Sequence, residues 1–153
     1  MKSLIVYKSF HHNNTKKVAE IMAESIGADI FAVDELKEID VSEYDLIGFG
    51  SGIYISNFHL SILNLVKRIK NIENKNVFIF STSGLSIKFL DFDRGIKKEL
   101  QKRGANLVGS FNSKGLNTNS LVGFFGGINK GRPNDLDLNS AKKFVEDIRL
   151  KIS

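Results

Sequence analysis

The sequence predicts an α/β fold: a doubly wound three-layer sandwich on a five-stranded parallel sheet of order 2-1-3-4-5. Apolar runs of strand length alternate with segments of helical period along the chain. Continuously apolar strands mark a sheet covered by helices on both faces. The first strand also leads through a polar turn directly into an amphipathic helix. In a sheet of this order, ligands bind outside the carboxyl ends of the strands, where strand order reverses between the first and third.

Each element follows from its residues. Leu4–Tyr7 is the first strand; Val18, Ala19, Ile21, Met22 and Ile26 set the apolar face of the following helix, which Gly27 ends. Ile30–Val33 and Leu46–Phe49 are the second and third strands, and Asp34–Ser42 between them is too short for a long crossover helix. Ile62, Leu63, Val66 and Ile69 mark a helix, Val77–Phe80 the fourth strand, and Phe92, Ile96 and Leu100 a helix stopped by Gly104. The fifth strand begins at Leu107–Val108 and extends to Phe111. A C-terminal helix carries Ala141, Phe144, Val145 and Ile148, with Asp137 or Asn139 as its cap. Asn112–Asn134 is polar and glycine-rich, a long loop of the kind usually tied to function or motion. With no repeat, low-complexity tract or linker, residues 1–153 read as one domain.

Composition narrows the function classes. Cysteine is absent, which excludes disulfides, thiolate metal sites and cysteine nucleophiles and fits a reducing cytoplasm, the expected location. The apolar runs are too short to span a bilayer, and no signal peptide is read at the start of the chain. The net charge of +5 could favour an acidic partner or nucleic acid. Its lysines and arginines are scattered over helix faces, however, so solvation is the plainer reading and nucleic acid is not expected.

Three segments follow the strands that flank the switch point: KSFHHNNT, SGIYISNF and STSGLSIKFL. They are rich in hydroxyls, amides and glycine and hold no Asp or Glu. The turn Ser9–Thr15 offers side-chain donors where a helix begins, and free N–H groups with the positive end of the helix dipole make such a turn an anion site. Asn13 is the candidate for a left-handed backbone position. Taken alone, Asn and Thr here are simply good helix caps, and His11 and His12 ordinary exposed turn residues. His59 lies on another loop without carboxylates, so no metal site is expected. Gly126–Pro133 lacks the spacing of a nucleotide-binding phosphate loop and reads as a structured loop or flap. Asp91, Asp93, Asp135 and Asp137 read as helix-start carboxylates, and no catalytic residue is assigned.

Ser9-Phe10-His11-His12-Asn13-Asn14-Thr15, followed by Lys16-Lys17-Val18-Ala19-Glu20, resembles the phosphate turn and first helix of the flavodoxin family, over essentially the whole chain. It departs from that pattern by one inserted residue, the lack of glycine and the paired histidines. The resemblance implies a flavodoxin-like fold that binds FMN, with the phosphate held at Ser9, Asn14 and Thr15 and also by His11, His12 and Asn13. It places Ser51, Gly52, Ile53 and Tyr54 on one side of the flavin ring, with Tyr54 as the aromatic contact. Ser81, Thr82, Ser83 and Gly84 take the other side, where the usual Tyr or Trp is missing and Leu85 or Phe89 would serve. Gly126–Pro133 is similar to a segment of flavodoxin-like proteins that share this altered turn, and Gly48–Lys67 faintly resembles bacterial protoporphyrinogen-oxidising relatives.

The function implied is an electron carrier between redox partner proteins, acidic ones among them. Two alternatives stand beside it: an FMN-dependent quinone or porphyrinogen oxidoreductase, and a flavin-free module binding protein or nucleic acid. With His11, His12, His59 and Lys88 near the site loops and no carboxylate among them, reduction to the anionic flavin is expected at a less negative potential than in acidic flavodoxins.

Overall fold

The computed structural model describes residues 1–55, 57–83, 91–114 and 131–153. The chain runs through β1 (Ser3–Lys8), α1 (Asn14–Ile26), β2 (Asp29–Ala32), β3 (Leu46–Tyr54) and β4 (Asn57–Phe58). It continues with α2 (Leu60–Arg68), β5 (Asn76–Ser83), α3 (Arg94–Lys102), β6 (Asn106–Lys114) and α4 (Asp135–Ile152). The strand order is β2-β1-β3-β5-β6, with β4 paired to β3 alone. Every pair on the main path is parallel, and only β3–β4 is antiparallel. This is the order 2-1-3-4-5 with a small hairpin added. The chain has the flavodoxin-type doubly wound fold.

Successive strand residues point to opposite faces, so each apolar run feeds two cores. Leu4, Val6, Ile47, Phe49, Val77 and Ile79 meet Ile62, Leu65 and Val66 of α2 and Ile96 and Leu100 of α3. Ile5, Leu46, Phe78 and Phe80 meet Val18 and Met22 of α1 and Ala141, Val145 and Ile148 of α4. On that second face, Gly48 and Gly50 of β3 stand directly opposite Phe78 and Phe80 in register. A Cβ on either glycine would collide with the ring lying over it. The two rings stack on each other, 6.1 Å apart at 28°. Glycine here is a packing requirement.

The observed strands run past their apolar cores. Their carboxyl ends, Ser51 to Tyr54, Ser81 to Ser83 and Asn112 to Lys114, are ladder residues although their side chains are mostly polar or small. Backbone pairing continues there because neighbours in register supply partners, which hydrophobic periodicity does not register. Two helix boundaries also differ from expectation. Phe92 precedes α3, and the cap of α4 is Asn134 instead of Asp137 or Asn139. Asn134 accepts from the Asp137 N–H at 3.1 Å while the Asp137 carboxylate accepts from the Asn134 N–H at 2.9 Å, a reciprocal capping box. Gly27 ends α1 as expected, in the left-handed region at φ 63°. Among the described residues, no helix is long and apolar enough to cross a membrane.

Candidate functional site

The candidate site lies at the carboxyl edge of β1, β3 and β5, where Lys8 sits opposite Ser51 and Ser51 opposite Ser81 in register. After β1 the backbone makes a single 3-10 turn at His11–Asn13 before α1 begins. His12 and Asn13 are both left-handed, at φ 60° and 53°. For non-glycine residues this conformation is uncommon and best tolerated by Asn, Asp and His. Two such residues in sequence turn the chain sharply without glycine, which accounts for the altered composition of the turn. No side chain caps α1 at Asn13. Ser9 Oγ is buried and has no hydrogen-bond partner among the described residues. An unpaired buried hydroxyl is costly, and a ligand oxygen would relieve it.

Thr15 is placed differently from its neighbours in the turn. Its side chain is buried, and Oγ1 lies 2.8 Å from Thr82 Oγ1. The hydroxyl therefore ties the first-strand turn to the end of β5, leaving the backbone N–H as its clearest means of contacting a ligand. Asn14 is buried beside it.

The segment after the third strand is a hairpin. Tyr54 pairs antiparallel with Asn57, so the chain reverses tightly after β3. Ile55, at φ 47°, takes the positive φ that such tight hairpins need at their first position, and its side chain is fully exposed. Ser51 Oγ is buried; it donates to the Gly52 carbonyl at 2.6 Å and accepts from the His59 N–H at 2.9 Å, holding the two arms of the hairpin together. Gly52 lies against the Tyr54 ring, leaving only 3.0 Å from a Cβ to the phenol oxygen. Tyr54 meets Phe10 edge-on, with centroids 6.3 Å apart, and His59 likewise at 5.1 Å. Burial raises the Tyr54 phenol above its ordinary pKa, so it stays protonated.

Three residues of this cluster were missing from the sequence-based set. His59 caps α2: its Nδ1 accepts from the Ser61 N–H at 3.1 Å. Desolvation, and secondarily the Lys8 charge, hold it below the ordinary histidine pKa. A polar residue immediately before a helical segment is the signal that could have found it. Phe10, over half exposed, belongs to the Tyr54 cluster. Lys8 ends β1 with its ammonium 2.6 Å from the Asp34 carboxylate and 5.8 Å from the Phe10 centroid. No local signal marks that pairing, since Asp34 comes from the 3-10 turn Val33–Glu35 after β2.

The structure thus brings Ser9, the His12 and Asn13 backbone, Asn14, Thr15, Ser51, Gly52, Ile53, Tyr54, Ser81, Thr82 and Ser83 to one edge of the sheet. The His11 backbone belongs to the same turn. Gly84, Leu85, Lys88, Phe89 and residues 126–130 lie outside the described residues. Among the described residues, no group of three His, Cys, Asp or Glu could hold a metal ion. Asp93 binds the Ser110 hydroxyl at 2.6 Å and lies 3.8 Å from Lys97, a structural role at the start of α3.

A family model described as a flavodoxin domain matches residues 4–132. An uncharacterised protein of Methanocaldococcus jannaschii is 41% identical over 148 residues, spanning 97% of this chain and 98% of that protein. The flavodoxin-like domain-containing protein BilS of Clostridioides difficile is 36% identical over 92 residues, 58% of this chain and 50% of BilS. Oxidised flavodoxin 1 of Bacillus cereus superposes with a TM-score of 0.74 at 17% identity, covering 100% of both chains. With the fold, the switch-point turn and the family match in agreement, the chain belongs to the flavodoxin domain family.

Proposed function

We propose that the protein binds FMN at the carboxyl edge of β1, β3 and β5 and carries electrons between redox partner proteins. The observation that carries this reading is Ser9 Oγ, buried and without a hydrogen-bond partner among the described residues, close to a helix start that the Asn13 side chain does not cap. A phosphate monoester fits that place: it offers acceptors to the hydroxyl and to the first-turn N–H groups, and its charge suits the helix dipole. Ser9, His11, His12, Asn13, Asn14 and Thr15 would hold the phosphate. The segments Ser51 to Tyr54 and Ser81 to Gly84 would flank the ring, with Tyr54 as an aromatic wall. When bound, FMN supplies reversible electron transfer.

The chain's own residues then orient and insulate the cofactor. Ser51 and the His59 N–H keep the β3 hairpin closed, Thr15 and Thr82 keep the first-strand turn against β5, and Tyr54 meets Phe10 edge-on beside them. No acid–base group is needed, which suits a carrier better than a hydrolytic or group-transfer enzyme.

The visible absorption spectrum of the purified protein, taken before and after adding FMN and desalting, tests this reading. Retention of about one flavin per chain is the expected result. A colourless protein after desalting would overturn the reading and turn attention to a flavin-free binding module.

A further inference from the structure

Lys8 is an unusual residue to find at the switch point. Its side chain is 13% exposed, whereas that of its partner Asp34 is 65% exposed. The pair is therefore not neutral as seen from the site. Water and salt screen the carboxylate, while the ammonium acts through protein of low dielectric. The Asp34 turn is itself fixed, because the Glu35 carboxylate accepts from the Ala32 N–H at 3.1 Å. The Lys8 backbone lies opposite Ser51, on the boundary between β1 and β3. Its ammonium faces the Phe10 ring, which in turn meets Tyr54. Cation, phosphate turn and hairpin thus form one connected wall.

We propose that Lys8, held by Asp34, is a positioning residue that sets the electrostatic potential of this crevice, favouring the reduced, negatively charged form of the bound flavin. The inference rests on the FMN reading. Reduction adds electron density to the ring, and a largely shielded cation fixed nearby lowers the energy of that state relative to the oxidised one. His59 is a native sensor of the same field: Lys8 depresses its pKa more strongly than Asp34 raises it. The sign is that of an incompletely cancelled positive charge.

The test uses Lys8→Met and Asp34→Asn, with Lys8→Arg as the conservative variant. Lys2→Met is the control, a lysine at the far end of β1 whose pair with Glu43 is solvent-exposed. In the apo protein, the His59 titration followed by NMR is expected to move up in Lys8→Met and down in Asp34→Asn. In the FMN-loaded protein, the midpoint potential is expected to become more negative in Lys8→Met and less negative in Asp34→Asn. Lys8→Arg should stay near wild type, and Lys2→Met should be unchanged. Raising the ionic strength should shrink the Asp34→Asn shift more than the Lys8→Met shift.

A merely structural ion pair predicts impaired FMN retention in both variants without opposed potentials, and that result overturns the proposal. So do potentials that move together. Asp34→Asn alone decides the sign if Lys8→Met does not fold. Wild-type protein that retains no FMN overturns the flavin reading itself and this inference with it, a failure visible before any variant is made.

Discussion

Thr15 and Thr82 stand 67 positions apart in the chain, yet their hydroxyls meet at 2.8 Å in a buried setting. Two hydroxyls facing each other without water satisfy one another, whereas one left alone has lost its hydration for nothing. Thr15→Val is accordingly expected to destabilise the apo protein by about 1–3 kcal/mol, and Thr82→Val by a similar amount. The double variant should lie closer to wild type than the sum of the singles. Urea unfolding of the four proteins checks this; strictly additive losses would show that the hydroxyls are not coupled. The left-handed positions make a different point at the same scale. Asn13 was legible from its residue type, but His12 beside it was not, because residue type alone does not show which histidine is left-handed and only the closure of this turn decides it.

The helix α2 begins on a titratable cap. His59 Nδ1 must stay unprotonated to accept from the Ser61 N–H, and its ring is packed edge-on against Tyr54. Protonation would remove the acceptor and place a positive charge at the positive end of the helix, next to Lys8. Desolvation is the larger cause of its lowered pKa and Lys8 the second, with Asp34 opposing them. Because the folded value lies below the unfolded one, the contribution to stability is complete above the ordinary histidine value of about 6.5. It is lost as the pH falls through that value toward the lower folded one. His59→Asn keeps a capping acceptor that does not titrate, so the wild type should lose more stability than this variant between about pH 7.5 and 5.5. Urea midpoints at the two pH values check this; equal losses would assign the pH dependence elsewhere. The strand elements were readable as far as their apolar cores. Their polar carboxyl ends, which line the candidate site, were hidden because ladder pairing there depends on neighbouring strands.

Across the whole molecule, the net charge of +5 is spread over helix faces, while the site loops carry no carboxylate of their own. The structure corrects that reading in one respect: Asp34 approaches the site through Lys8, although from its solvent side. Reduction of bound FMN to its anionic form is therefore still expected at a less negative potential than in flavodoxins ringed by acidic residues. A redox titration checks it, and a strongly negative value like theirs would sink the idea. The alternation of apolar runs and helical periods determined the fold class and its layers, and the strand order expected for that class is the one observed. Those features depend on residues near one another in the chain and on chirality rules common to all such sheets. Only the tertiary structure decided that Asp34 holds Lys8, that Thr15 meets Thr82, and that Phe10 and His59 flank Tyr54. Each of those contacts joins separate elements, and side chains that distant meet only after strand register and loop closure have fixed where each element ends.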